Sequence, residues 1–236
     1  MHILLVFLLG FLVHRLLLHR KAGRRSGSTA SPAPMSQAEP SELSSQDCTP
    51  DLPLSFGYKT AWLCIRADEP AQVIMALGGR DAEACSWRAG LSRAGTQRQV
   101  FVSPCLRGYI LAIGLPELKS QILETLAVNF EEIQYFITHR VVDYQGWAKY
   151  QNGKCVRAYA WIGERGEVLW DEGSLTAEEL ALGGQDFPRQ GKEEDAVRYP
   201  DEETVLSMAA AWGISTDLEA GGYPPSCGYL CKVQFS

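Results

Sequence analysis

Few side chains in this sequence combine a reactive type with a suggestive setting, and His139 is the first of them. It is the one histidine beyond residue 19, and it directly follows the apolar run IQYFIT at 133–138, with Arg140 and Asp143 close behind. Imidazole titrates near neutral pH, so a histidine there could act as a general base or a proton switch. A hydrolase built on it would need a carboxylate, or one of Cys64, Cys85, Cys105 or Cys155 as nucleophile beside it in space. The bland alternative is a structural hydrogen-bonder at a strand end, and that is the commoner fate of a lone histidine.

The other candidates are weaker. Seven cysteines, an odd number, lie mostly in apolar runs such as AWLCIRA and GKCVRAYA, as buried thiols in a reducing compartment would. Cys227 and Cys231 stand apart in a Gly/Pro-rich tail, where they could bind metal. A pair without a second pair or nearby histidines is a poor metal signal. Acidic groups recur at Glu131-Glu132, Asp171-Glu172, Glu178-Glu179, Glu193-Glu194-Asp195 and Asp201-Glu202-Glu203. Most fall at helix starts or in loops, where solvated charge is the default. The chain holds no G-x-S-x-G, phosphate-binding glycine loop, H-E-x-x-H or calcium loop, and no cofactor is expected.

Aromatic residues are more suggestive. Tyr144, Trp147, Tyr150, Tyr159, Trp161 and Trp170 crowd one stretch, with Arg140, Arg157 and Arg165 beside them. If strand alternation turns part of this set to solvent, Tyr144, Trp147, Tyr159, Trp161, Arg140 and Arg157 form a protein-binding surface. If helices cover both faces, the same rings are core.

The elements that must position these residues follow from local signals. Asn152-Gly153 between two β-rich runs marks a two-residue hairpin, because both central positions need positive φ. Pairing about it sets Tyr150 opposite Cys155, Ala148 opposite Arg157 and Trp147 opposite Ala158. A reversal at 164–166 extends this into a three-stranded meander over 141–170. Strands are also expected at 56–66, 100–103, 108–113 and 133–138, and helices at 68–77, 116–128, from the capping-box pattern at Thr176–Glu179, and from Asp201 to Trp212. About seven strands and four helices, with strands consecutive in the middle, predict an α+β domain with a mainly antiparallel sheet.

Charge divides the chain. Residues 1–25 hold five basic residues and no acid, whereas the remainder holds 17 basic and 28 acidic residues, a net of −11. So negative a domain is repelled by phosphate backbones, and nucleic acid is not an expected partner. Residues 3–18 are almost wholly apolar and would reach about 24 Å as a helix, slightly short of a bilayer core. Basic residues follow this run rather than precede it, unlike a secretory signal. The expected organisation is a membrane anchor or interfacial helix at 1–25, a disordered Ser/Pro/Ala linker at 26–55, and a globular domain at 56–236. The positive-inside rule places that domain on the cytoplasmic side of the inner membrane, with residues 3–18 in the lipid bilayer. A surface-lying helix, an atypical signal peptide and a true start at Met35 are the alternatives.

FGYKTAWL at 56–63, VFVSP at 100–104, IQYFITHRVV at 133–142, RAYAWIGERGE at 157–167 and PDEETV at 200–205 together resemble a family of uncharacterised bacterial proteins. The resemblance spans most of 56–215 and implies a bacterial domain, with no catalytic residue to carry over. Small acidic α+β domains are also similar in style to immunity proteins, which neutralise toxins by tight binding. The reading that results is a membrane-tethered, non-enzymatic binding domain, immunity-like or regulatory, for a protein partner of basic character. The alternative is a hydrolase using His139 with a carboxylate or cysteine.

Overall fold

A computed structural model describes residues 49–234, and the expected anchor and most of the expected linker lie outside them. The strands are β1 (Ala61–Arg66), β2 (Arg80–Ser86), β3 (Gln99–Val102), β4 (Tyr109–Leu115), β5 (Glu132–His139), β6 (Tyr144–Gln151), β7 (Lys154–Ile162), β8 (Glu167–Glu172) and β9 (Cys227–Lys232). The α-helices are α1 (Pro70–Ala76), α2 (Trp87–Arg93), α3 (Ser120–Ala127), α4 (Ala177–Ala181) and α5 (Glu202–Trp212). All nine strands join one sheet in the order β2-β9-β3-β4-β1-β5-β6-β7-β8, and every pairing is antiparallel.

The α+β class with a mostly antiparallel sheet is as expected; the strand and helix counts are not. β2, β9 and α2 were missed, each for a physical reason. β2 is an edge strand whose first five residues are all exposed, so it carries charge (Arg80, Asp81, Glu83) where a buried strand would alternate. β9 follows a Gly/Pro-rich stretch that reads as a tail, and it becomes a strand only by inserting between β2 and β3. α2 spans just seven residues and is capped by Ser86, whose side chain accepts from the Ala89 amide.

Strand alternation sends side chains to two separate cores. On one face Leu63, Ile65, Ala112, Tyr135, Ala148 and Tyr150 pack beneath Val73 and Leu77 at α1 and Leu123 and Leu126 of α3. On the other, Trp62, Phe101, Phe136, Trp147, Tyr159 and Trp161 pack beneath Trp87 of α2, Val205, Met208 and Trp212 of α5, and Phe187. Both faces of the sheet are therefore covered, and the molecule's accessible features lie at strand ends and loops.

The hairpin at Asn152-Gly153 forms with positive φ at both residues, 49° and 76°. Tyr150 does pair with Cys155, but a bulge follows, so Lys149 faces Arg157, Ala148 faces Ala158 and Trp147 faces Tyr159. Val156 is the extra residue. Without it Arg157 would share a face with Ala148; the bulge turns Arg157 to the opposite core. Within the stretch expected to be linker, Asp51 bridges to Ser226 and its carboxylate accepts from the Trp87 and Arg88 amides at the start of α2, at 2.6 and 3.0 Å. Pro53 is buried there as well.

Close packing at α2 yields a direct test. A Cβ at Gly90 would run into the Phe101 ring. Gly90→Ala gains about 1 kcal/mol of helix propensity, but overpacking a rigid ring costs about 1–3 kcal/mol. The clash should win, so urea denaturation of Gly90→Ala is expected to show a net loss of about 1 kcal/mol; a gain would mean that Phe101 moves aside freely.

Candidate functional site

The buried half of the expected binding surface is built around an ion pair. Arg157 is 1% exposed and its Nε donates to both carboxylate oxygens of Glu179, at 2.9 and 3.0 Å. Its Nη1 donates to Asp171 Oδ1 at 2.7 Å and to the carbonyls of Ala158 and Glu172 at 3.0 Å each. Glu179, wholly buried in α4, also accepts from Trp147 Nε1 at 3.1 Å and closes the capping box with the Thr176 amide at 3.0 Å. Arg189 joins from outside, donating to Asp171 Oδ1 at 3.1 Å.

This arrangement corrects the expectation of exposed rings. Trp147, Tyr159 and Trp161 are at most 3% exposed, and Arg157 is an internal cation. The reason is that α4, α5 and residues 182–188 cover that face: Phe187 packs on Trp147 and Tyr159, and the Tyr159 hydroxyl donates to the Pro188 carbonyl at 3.2 Å. Of the six proposed binding residues, only Tyr144 and Arg140 reach the surface. Arg140 pairs with Glu202 at 2.7 Å and lies over the Tyr58 ring. The half-buried Tyr144 donates to Glu117 at 3.1 Å, and burial together with that carboxylate pushes its phenol upward.

His139, exposed at the end of β5, lines a cleft of about 430 Å³ with Lys59, Glu117, Tyr144 and Arg165. A larger adjoining cleft of about 760 Å³ shares Lys59, Thr60, Leu115 and Pro116 with it and adds Arg98, Phe56, Leu91 and Ile113. The two run along one end of the sheet, across the starts of β1, β3 and β6 and the ends of β4, β5 and β7. Sequence reading found His139 but neither cleft. No local signal marks them: Lys59 takes positive φ in a turn and Gly114 at a bulge in the cleft walls, and only the folded chain shows either.

Among the described residues no cysteine lines either cleft. Cys64 is buried and pushed upward, mainly by desolvation; Cys155, desolvated and beside Glu172, is pushed up to about 11. Neither is a ready thiolate. Cys227 and Cys231 sit four residues apart on β9, about 13 Å along an extended strand, so one ion cannot bridge them. Burial alone pushes Cys231 up to about 11. Among the described residues no group of three or more His, Cys, Asp or Glu is placed to hold a metal ion.

Two further polar features were missed. Glu132, 8% exposed, accepts from Gln134 Nε2 at 2.6 Å, Gln151 Nε2 at 2.7 Å and the Tyr109 hydroxyl at 3.2 Å, with Lys149 Nζ at 3.5 Å. Burial works to raise its carboxyl, but these donors and Lys149 outweigh it and hold it below the usual range. The second is a hollow of about 430 Å³ lined by Asp143, Glu193, Glu194, Trp161, Tyr199, Gly163 and Gly166. Its acids looked like ordinary loop charge in the sequence, because nothing local shows that 193–199 folds back beside β7.

No family model, curated protein or solved structure matches the chain. Among the described residues no helix is long and apolar enough to cross a membrane, and residues 3–18 lie outside that description.

Two measurements check the buried charges. Glu179→Ala strands the Arg157 guanidinium and should cost about 3–5 kcal/mol in urea denaturation. The double change Arg157→Met with Glu179→Leu should recover much of that loss; an Ala variant as stable as wild type would show the pair idle. Because the Glu132 carboxyl is held low in the folded state, its contribution is fully present above the ordinary carboxylate range and lost as pH falls through the depressed value. The urea-midpoint difference between wild type and Glu132→Gln should therefore shrink on acidification from neutral pH. A difference that stays constant would show that Glu132 is not held low.

Proposed function

We propose that this chain is a membrane-tethered, non-enzymatic binding domain of immunity-like or regulatory kind, held at the cytoplasmic membrane face by residues 3–18 and engaging a basic protein. The observation that carries the reading is how its acids are disposed. Asp171, Glu179, Glu132 and Glu202 are each paired with a cation of the same fold. Asp143, Glu193 and Glu194 share a hollow lined by no basic residue. In a domain carrying −11 beyond residue 25, such surplus charge steers and selects a cationic partner. With both sheet faces covered, the partner would meet loops and strand ends rather than the meander rings.

A second reading, a hydrolase centred on His139, has one specific support: His139 shares its cleft with Glu117 and Tyr144. Against it, the Tyr144 hydroxyl already donates to Glu117, and among the described residues no cysteine lies at the cleft.

Cell fractionation tests the tether. Full-length protein should sediment with membranes and resist high-salt washing, whereas protein beginning at Met35 should stay in the supernatant. Cross-linking the tagged full-length protein in its own cells should then recover a basic protein, released by His139→Ala no more than by wild type. Full-length protein that is freely soluble, or exported and trimmed, removes the proposal.

A further inference from the structure

The hollow beside β7 combines charge, aromatic rings and unspent hydrogen-bonding groups. Three carboxylates line it, and none of the three makes an ion pair among the described residues. Among the described residues their side-chain acceptances are local: Asp143 Oδ1 takes Gln145 Nε2 at 3.2 Å, and Glu193 Oε1 takes the Gly191 amide at 3.2 Å. The wall is aromatic. Trp161 and Tyr199 have centroids 5.4 Å apart at an interplanar angle of 36°, and Tyr199 is 54% exposed. Gly163 and Gly166 complete the lining without adding bulk.

A second observation comes from the hydrogen-bond balance. Trp161 lines the hollow at 3% exposure, yet its Nε1–H has no acceptor. Gln145, its register partner on β6, is 1% exposed and its Oε1 has no donor, while its Nε2 is the group that holds Asp143. Buried polar atoms without partners are costly and rare. Here the unspent donor belongs to a wall residue of the hollow, and the unspent acceptor to the residue that pairs with it and holds Asp143.

The chemistry narrows the ligand. An anion is repelled by three carboxylates, and these acids do not converge closely enough for a metal ion. A cation with a flat apolar face is favoured by both walls at once, by charge from the carboxylates and by the quadrupoles of the rings. Guanidinium meets that description better than ammonium, since it is planar, weakly hydrated and able to fork its donors between carboxylates.

We infer that the hollow formed by Asp143, Glu193, Glu194, Trp161 and Tyr199 is a socket for an arginine side chain presented by a basic protein partner. The inference deepens the binding reading above by naming the contact, and it rests on that reading. The guanidinium lies against the exposed Tyr199 ring between Glu193 and Glu194. The Trp161 ring backs the contact, and Tyr199, sitting outermost, shields it from water.

The test uses the full-length protein in detergent, titrated calorimetrically with a capped peptide alternating arginine and glycine, and with its lysine counterpart. Glu193→Gln with Glu194→Gln should weaken the arginine peptide about tenfold or more, and Tyr199→Ala by about two- to fivefold. Glu83→Gln with Glu124→Gln removes the same charge from exposed sites elsewhere and should change affinity less than about twofold. All these positions except Glu193 are exposed and Glu193 is half-buried, so near-ultraviolet circular dichroism should report an unchanged fold. Lysine peptide binding as tightly as arginine peptide, or equal losses in the two double variants, would reduce the effect to general attraction and overturn the socket. If the socket variants bind the peptide as wild type does while cross-linking still recovers a basic protein, the socket falls and the binding reading stands. If the peptide result holds but no basic protein is recovered, the socket stands and the reading of its partner falls.

Discussion

A guanidinium sealed in a protein interior is tolerable only with its counter-charge in place, and much of this domain is organised by that requirement at Arg157. Its ties to Glu179, Asp171 and two carbonyls join β7, β8 and α4 in one set of bonds. Desolvating both ions offsets most of what their attraction contributes, so the pair is a weak source of net stability. Its effect is positional. α4 is five residues long, too short to persist alone. Glu179 anchors it by holding the cap, the Trp147 indole and Arg157 together. With α4 seated, the chain from 182 to 188 lies over Trp147 and Tyr159, and rings that sequence alone leaves ambiguous become core.

That covering shapes where function can reside. A nine-stranded sheet sandwiched on both faces offers a partner its ends, its loops and its two edges. β2 at one edge bears exposed charge, which discourages pairing with another strand. At one end of the sheet the chain leaves two joined clefts with Lys59, Arg98 and His139 on their walls. Beside β7 it leaves an acidic, aromatic hollow. The polarity of these features is opposite, and only the second matches the net charge of the domain. Glu132 shows the contrasting case of an acid fully engaged within the fold, its oxygens taken up by Gln134, Gln151, Tyr109 and Lys149.

The elements legible in the sequence are those whose cause is local. Asn152-Gly153 makes its turn because two adjacent residues accept positive φ. Thr176 and Glu179 cap α4 because three residues bring side chain and amide together, and Asp201 opens α5 for the same reason, with Val205, Met208, Ala209 and Trp212 on its buried side. The hydrophobic runs of β1, β4 and β5 announce strands buried on both faces, and from these the α+β class with an antiparallel sheet follows. His139 could be placed at a strand end, but whether a cleft stood beside it could not, since Lys59, Glu117 and Arg165 arrive from three other parts of the chain.

Tertiary structure alone decided the rest, because each remaining question depended on contacts between distant segments. β9 exists as a strand only between β2 and β3, to which nothing in its own six residues points. One bulged residue, Val156, reversed the face of Arg157, since side chains alternate with a period of two and a single insertion inverts everything beyond it. The aromatic meander was visible as composition, but its burial came from α4, α5 and Phe187, up to 65 residues further along the chain from Trp147 to Trp212. Composition and short-range pattern thus determined the domain's class, charge and local turns. Which charges are spent inside and which are left facing outward emerged only when the sheet closed.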